Sequence, residues 1–441
     1  MLSVLANRTY RNLFLAQVIA LVGTGLATVA LGLLAYEIAG GSAGAVLGTA
    51  LAIKMVAYIF VAPVAGAFAN RLPRRALLVS LDAIRAAVAV CLPFVSQVWQ
   101  VYVLIFVLQS ASAAFTPTFQ ATIPDVLPDE RDYTRALSLS RLAYDMESLA
   151  SPILAAALLT MMSYHWLFSG TAVGFSSSAL LVVSTLFPKA TPPGEQGGIY
   201  DKTTRGIRTY LKTPRLQGLL ALTLSAAAGS SMVIVNTVVI VKAMGLSQRD
   251  VALTLAAFGG GSIATALTLP RVLDRVADRK VMLAAASIMT LALASLAFLT
   301  SSIQPGPSYW RILIIGWLVM GVSYSAGVTP SGRLLKRSSH AEDRPALFAA
   351  QFALSHVCWL ICYPLVGALG AQAGMRAAFA AMSAVAAVGV IAAMRLWPAH
   401  DPDIIAHEHG NLDVDDEHLG LHARGAHRFV IDGRHPQWPK R

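Results

Sequence analysis

Long apolar segments alternate with short polar connections along almost the whole chain. Each segment is long enough to cross a bilayer, because a spanning helix needs about 20 apolar residues. They are continuous runs rather than the short alternating segments of a membrane barrel, so the pattern predicts helices. The predicted spans lie near 12–36, 45–68, 76–96, 101–123, 136–160, 165–187, 216–241, 250–270, 281–301, 312–331, 346–369 and 375–396.

The chain has more apolar surface than a soluble protein of this length can bury, so the composition indicates a membrane protein. Of the 441 residues, 56% are hydrophobic and 13% are charged, whereas soluble domains average about 45–50% apolar and about 25% charged residues. Inside a bilayer every backbone polar group must be bonded internally, which helices achieve. We therefore expect an all-α integral membrane protein of about twelve transmembrane helices, with the lipid bilayer as a partner.

The basic residues define an orientation. The formal net charge is +11, but the lysines and arginines stand at the ends of apolar runs, so the pattern indicates no nucleic-acid partner. If the N-terminus lies inside, the outer connections receive only Lys242, Arg249, Arg311 and Arg376. This asymmetry predicts a multi-pass protein of the cell (inner) membrane with both termini in the cytoplasm.

The longest polar gap lies in the centre of the chain and is basic and rich in proline and glycine. It predicts a cytoplasmic linker (188–215), whose second part could form a short surface helix. The linker joins an N-terminal six-helix half (1–187) to a C-terminal six-helix half (216–396). The polar, histidine-containing remainder (397–441) is predicted to be a loosely folded cytoplasmic tail.

The two halves repeat one another in sequence. Segment 110–117 (SASAAFTP) matches 323–330 (SYSAGVTP), and 129–131 (DER) matches 342–344 (EDR). Many secondary transporters are built from related six-helix halves with the substrate site between them at mid-membrane. The repeat therefore predicts two pseudo-symmetric six-helix bundles.

The segment after the second span resembles a signature of the major facilitator superfamily. Segment 66–75 (GAFANRLPRR) is similar to that family's loop between spans two and three, although the family usually has Asp at Asn70 and Gly at Pro73. The second half keeps the acid as Asp274. The resemblance implies that this loop latches the cytoplasmic ends of the halves. It implies gating roles for Gly66, Asn70, Arg71, Arg74, Arg75, Asp274, Arg275 and Arg279.

Further likeness points to one branch of that family. Segment 150–156 (ASPILAA) is similar to a degenerate form of the fifth-span signature of exporters, where glycines flank a proline. The overall pattern, including 123–125 and 82–85, is similar to macrolide and siderophore exporters. The family's usual fourth-span arginine is absent and Gln109 stands near its position, so proton coupling is implied by the family alone.

Ionisable residues inside the spans are candidates for transport chemistry, because membrane charges are costly and usually paired or functional. Arg141 and Asp145 share a helix face and form either a self-neutralising ion pair or, with Glu147, a protonatable coupling site. Lys54 either snorkels or lines a cavity, and Glu147 could meet it. The substrate and coupling candidates are Gln17, Lys54, Arg141, Asp145, Glu147, Asn236 and His356.

His356 has two interpretations. A single membrane histidine is often a hydrogen-bonded packing residue. Cys358, Cys362 and Met320 lie in the same or a neighbouring span and, with His356, could pass a transition metal. The sequence favours the other interpretation, in which these side chains are buried small hydrophobic groups.

The tail holds most of the histidines of the chain. His407 with His409, and His418 with His422, have spacings that can chelate nickel, cobalt or zinc. The alternative is a polar tail whose histidines bind nothing. A histidine-containing tail also loosely resembles that of bacterial nickel-resistance exporters in the same superfamily, although no dense histidine run is present.

Two functions remain open at this point. The first is a proton-coupled antiporter that exports a small organic solute of the drug or siderophore class. The alternative is efflux of a divalent metal, nickel or cobalt, with metal bound at the tail. The chain contains no HExxH or GxxxxGK[ST] motif, so we expect neither an enzyme nor a cofactor.

Overall fold

The fold is a bundle of long helices that run back and forth across one layer. The computed structural model describes residues 2–39, 43–68, 72–185, 199–246, 248–302, 307–402, 404–406, 426–431, 435 and 438–439. Ten helices in that part are long and apolar enough to cross a membrane. The prediction of an all-α, multi-pass membrane protein is therefore confirmed.

Twelve long helices in the described residues form two sets of six, and two shorter helices lie in the connections between them. In chain order they are α1 (Arg8–Ala39), α2 (Ala43–Phe68), α3 (Arg74–Cys91), α4 (Val98–Val126), α5 (Glu130–Leu159), α6 (His165–Val183), α7 (Ile199–Lys212), α8 (Pro214–Ala243), α9 (Gln248–Leu273), α10 (Asp278–Ser302), α11 (Pro307–Val328), α12 (Ser331–Arg337), α13 (Arg344–Gln372) and α14 (Gly374–Leu396). The two shorter helices, α7 and α12, lie in the connections that precede α8 and α13. Single 3₁₀ turns occupy Leu2–Ala6 and Leu92–Phe94.

Local chemistry explains several helix limits. Asp129 caps α5 by accepting a hydrogen bond of 3.0 Å from the backbone N–H of Asp132, which also lowers the pKa of the Asp129 carboxyl. Gly374 has φ of 82° between α13 and α14, a conformation that favours glycine. The predicted span 312–331 crosses a break, because α11 ends at Val328 and Pro330 precedes α12.

Each half has a core of its own. In the first half, buried leucine, alanine and aromatic side chains of α1, α3, α4, α5 and α6 pack together in two clusters. In the second half, α8, α10, α11, α13 and α14 share a core around Trp317 and Met320. A further cluster around Trp397 packs α7, α8 and α13 together at one end of the bundle. We call this the terminal end, because Leu2–Ala6, α7, α12 and the tail lie there.

Two described segments of the tail pair with each other. Strands β1 (Ile404–Ala406) and β2 (Ala426–Arg428) form an antiparallel hairpin. Phe429, Val430 and Ile431 follow β2 and are buried. These apolar residues give the tail a small core, which the charge-rich composition around them conceals.

A buried ion pair stabilises the first half. Asp82 and Arg85 of α3 pair with each other, and the Ser178 hydroxyl donates a hydrogen bond of 2.8 Å to Asp82. The Arg85 guanidinium lies between the rings of Phe115 and Phe175, 4.1 and 4.5 Å from their centroids. The pair therefore ties α3 to α4 and α6 within one half.

Replacing Asp82 by Ala is expected to lower the apparent melting temperature in detergent strongly. The change leaves the Arg85 cation buried without its carboxylate, and breaking a buried pair costs about 3–5 kcal/mol. The double variant Asp82→Leu/Arg85→Met removes both charges and should recover much of the loss. A melting temperature of Asp82→Ala equal to that of the unmodified protein would refute this assignment.

Candidate transport site and gate

An aromatic and cationic cluster joins the two halves between α2 and α13. The Lys54 ammonium lies 5.4 Å from the centroid of the Tyr58 ring. Tyr58 in turn contacts Phe352 and His356, with ring centroids 4.9 and 4.7 Å apart. Trp359 lies one turn further along α13 and donates a hydrogen bond of 2.9 Å from its indole N–H to the Ser230 hydroxyl on α8. Lys54 therefore sits at the surface where the halves meet.

Glu147 supplies a carboxylate from α5, the helix that packs against α1 of the first half and α9 of the second half. Its charge interacts with that of Lys54, and Lys54 also acts electrostatically on His356. A Cβ atom added at Gly25 would lie 2.8 Å from Oε1 of Glu147, so the absence of a side chain there makes room for the carboxylate. The structure thus groups Lys54, Glu147 and His356, three of the residues predicted from sequence.

Arg141 forms a second link between the halves. Its guanidinium lies 4.7 Å from the centroid of the Tyr324 ring on α11, and its Nε donates a hydrogen bond of 3.3 Å to the Ser262 hydroxyl on α9. The predicted partner Asp145 has its side chain outside the described residues. Arg141 therefore reaches from the first half into the second.

Gln17 and Asn236 each form a hydrogen bond to a neighbouring helix of their own half. The Ser140 hydroxyl donates a hydrogen bond of 3.0 Å to Gln17, which links α1 to α5. The Asn236 amide donates one of 3.4 Å to the backbone carbonyl of Val366, which links α8 to α13. The Gln17 contact lies within the first half and the Asn236 contact within the second half, and each holds two neighbouring helices together.

The sulfur atoms on α13 lie apart from His356. Cys358 and Cys362 are buried in the core of the second half with Met320, whereas His356 faces Tyr58. No group of three or more His, Cys, Asp or Glu side chains that could hold a metal occurs in the part of the chain that the structure describes. The tail residues His407, His409, His418 and His422 lie outside that part.

A chain of three charges crosses between the halves at the terminal end. Asp125 at the end of α4 accepts hydrogen bonds from Arg74 of α3 and from Arg344 of α13. The side chains of Arg74 and Arg344 are 5% and 13% exposed, so these ion pairs are largely removed from water. We call Arg74, Asp125 and Arg344 the first relay, a carboxylate between two guanidinium groups.

The second half contains a counterpart with the charges reversed. Arg333 of α12 pairs with Asp278 of α10 at 3.3 Å and with Glu130 of α5 at 2.9 Å. Lys336 adds a hydrogen bond of 2.8 Å to the carbonyl of Pro128 in the first half. We call Asp278, Arg333 and Glu130 the second relay, a guanidinium between two carboxylates. Both relays fasten the halves together at the terminal end.

The gating residues predicted from the family signature differ in their contacts and in their exposure to solvent. Arg74 belongs to the first relay, and Arg279 donates a hydrogen bond of 3.1 Å to the backbone carbonyl of Trp397. Arg75, Asp274 and Arg275 are exposed, whereas Asn70 and Arg71 lie outside the described residues. The acid that pairs with an arginine here is Asp278, the first residue of α10, whereas Asp274 lies in the turn that precedes this helix.

Sequence reasoning missed both partners of Arg74 in the first relay, and it missed all three members of the second relay. Asp125 entered only as part of a branch pattern, and Arg344 only as part of the internal repeat. A usable signal existed, because both are charged residues at the ends of predicted spans. What the sequence lacks is the distance between α4 and α13, which packing alone provides.

Gly66 lies where α2 and α13 approach most closely at the terminal end. A Cβ atom there would collide with Ala349 and would lie 2.9 Å from the carbonyl of Pro345. We expect Gly66→Ala to push α2 and α13 apart and to lower transport several-fold. The matched variant Gly260→Ala on α9 meets nothing within 4 Å and should be silent. Equal transport by the two variants would contradict this close packing.

Comparison with known proteins identifies the family. The sequence profile of the Major Facilitator Superfamily matches residues 13–235 and 218–413. The chain belongs to this superfamily of membrane transporters. The prediction of a transporter rather than an enzyme is therefore confirmed.

Individual proteins of known sequence match this chain at low identity and over only part of its length. The chain is 27% identical over 167 residues to the uncharacterized MFS-type transporter YfiS of Bacillus subtilis, covering 37% of this chain and 40% of that protein. It is 24% identical over 153 residues to macrolide efflux protein A of Enterococcus faecalis, covering 32% and 47%. The chain thus spans less than half the length of these curated relatives.

A solved structure agrees with the fold over most of the chain. The crystal structure of a bacterial homologue of the iron transporter ferroportin superposes with a TM-score of 0.75 at 14% identity, covering 88% of this chain and 99% of that one. At this identity the agreement concerns the fold.

Proposed function

We propose that the protein is a secondary-active exporter of a small organic solute, driven by proton entry. The proposal rests on the cluster of Lys54, Tyr58 and His356, which joins α2 to α13 across the halves, and on Glu147 of α5, whose carboxylate is within electrostatic range of Lys54. Such a site at mid-membrane is where transporters built from two halves bind their substrates. The terminal end is the cytoplasmic side in this proposal, as the distribution of basic residues indicates.

Glu147 is the proposed proton carrier. As a carboxylate it attracts Lys54, and a proton on it removes that attraction. Because Lys54 lies in the cluster that joins α2 to α13, gain or loss of the proton on Glu147 changes the electrostatic field at a point where the halves meet. The relays at the terminal end then separate or close in turn, so the site opens to one side at a time.

The chemistry around the charges favours an organic substrate. Tyr58, Phe352 and Trp359 supply aromatic surface beside Lys54, and Tyr324 supplies more beside Arg141. Aromatic and apolar walls with a few polar groups are typical of sites for organic molecules. The relationship to macrolide efflux proteins supports export. The divalent-metal alternative rests on the tail histidines alone.

A tolerance assay in cells without their own exporters tests the proposal. Cells that produce the protein should survive higher concentrations of macrolides or aromatic dyes and show no change with nickel or cobalt. A variant with His407, His409, His418 and His422 all changed to Ala separates the two functions without removing the folded part of the tail. Tolerance to metal that this variant loses would replace the organic-solute proposal by the metal one.

A further inference from the structure

The beginning of the tail is held at the terminal end by a buried carboxylate. Asp401 pairs with Arg215 of α8 at 3.0 Å, where the two side chains are 10% and 2% exposed. The indole N–H of Trp397 donates a hydrogen bond of 3.0 Å to the same carboxylate. Arg337 of α12 donates one of 3.2 Å to the backbone carbonyl of Asp401, and its guanidinium lies 3.9 Å from the carboxylate. Asp401 therefore connects α8 to α12.

The end of the tail returns to the same region. Val430 and Ile431 line a small cavity with Arg205 and Gly206 of α7 and with Asp343 beside α13. The Trp438 ring covers the guanidinium of Arg215 at 5.1 Å. Both described ends of the tail thus contact the helices of the terminal end, one beside α12 and the other beside the start of α13.

These contacts surround the residues that fasten the halves. Arg337, which the tail holds, lies on the same short helix as Arg333 of the second relay. It also approaches Asp278 of that relay, at 3.8 Å. Asp343, beside Val430 and Ile431, immediately precedes Arg344 of the first relay. The tail contacts the second-half side of both relays.

We propose that the tail is a third component of the gate and that Asp401 is its main positioning residue. Asp401 neutralises Arg215 and Arg337, two cations that would otherwise repel each other and the neighbouring Arg333. Without it α12 is free to shift, and Arg333 no longer stays in place between Asp278 and Glu130. The inference rests on the proposed function, because it assumes that the terminal end opens and closes.

The opening of the terminal end can be measured without a substrate. Spin labels at Leu72→Cys and Val276→Cys report the separation of the two halves, because both residues are exposed connections at this end. The three native cysteines are replaced by serine beforehand. Pulsed electron resonance in liposomes then gives the ratio of open to closed molecules in the full-length protein.

Asp401→Asn should raise the ratio of open to closed molecules by about five- to thirty-fold, the range that one strong interaction contributes. Asp401→Glu, which keeps the charge, should restore most of the closed population. Val430→Asp detaches the other end of the tail by placing a second acid near Asp343, and should act in the same direction. Ile404→Asp is its control, because Ile404 is 62% exposed in the same tail.

The variant Asp125→Asn in the first relay distinguishes failure of the inference about the tail from failure of the proposed function. If Asp125→Asn opens the terminal end and both Asp401→Asn and Val430→Asp leave it closed, the tail has no part in the gate and this inference is wrong. If Asp125→Asn also has no effect, the terminal end is not a gate, and the proposed function falls together with the inference. An unchanged melting temperature in the Asp401→Asn protein excludes general unfolding as the cause of opening.

Discussion

Export by a Glu147→Gln variant is expected to fall to the level of cells without the protein. The substitution keeps the size of the side chain and removes its ability to carry a proton. The carboxylate of Glu147 is within electrostatic range of Lys54, and a charge within a membrane is costly unless it has a function or a partner. Measuring efflux of a preloaded dye from energised cells tests the prediction.

The control for this substitution is Glu37→Gln. Glu37 is exposed at the far end of α1, where the Tyr164 hydroxyl donates a hydrogen bond to it. It offers the same chemical change outside the centre of the bundle and should leave efflux nearly unchanged. Full efflux by Glu147→Gln, in membranes that contain normal amounts of the variant, would remove this residue from the coupling mechanism.

An Asp125→Asn variant is expected to lose most of its transport because its terminal end stays open. The first relay then has two guanidinium groups, Arg74 and Arg344, on either side of a neutral amide. Breaking a buried ion pair costs about 3–5 kcal/mol. The substitution destabilises the closed arrangement relative to the open one, because Arg344 of the second half lies beside the first half only when the terminal end is closed. The labelled protein described above measures the shift toward the open arrangement.

Asp132→Asn provides a matched comparison in the same half. Asp132 pairs with Arg135 at 2.9 Å along one helix, and both side chains are well exposed. Exposed pairs contribute only about 0–1 kcal/mol, so this variant should transport normally. Similar losses in both variants would mean that surface charge in general, and not the relay, controls the gate.

The sequence predicts the helices well because burial in a bilayer is a property of each segment. Even α5 is found, although Arg141 and Glu147 interrupt its apolar character. The predicted span 312–331 ends three residues beyond α11, and the short helix α12 that follows is not predicted, because its charged residues resemble those of a loop. A proline inside a span is compatible with either a kink or an end.

The site is only partly predictable. Lys54, Glu147 and His356 stand out as polar residues in apolar segments, so composition alone identifies them. Their meeting depends on the rotation of α2, α5 and α13 about their axes and on the packing of the halves. The spacing of polar residues along a single helix does not show how that helix is rotated or which helix it packs against. The same limit applies to Asp401, because the sequence of the tail does not indicate its contacts with Arg215 and Arg337.

Proton movement in inverted membrane vesicles tests the central claim most directly. Respiration makes the vesicle interior acidic, and a pH-sensitive dye follows the gradient when a macrolide or aromatic dye identified in the tolerance assay is added. We predict that the substrate dissipates part of the gradient in vesicles with the unmodified protein and has no effect with Glu147→Gln. Accumulation of substrate without any proton movement, or equal movement in both proteins, would contradict proton-coupled export through Glu147.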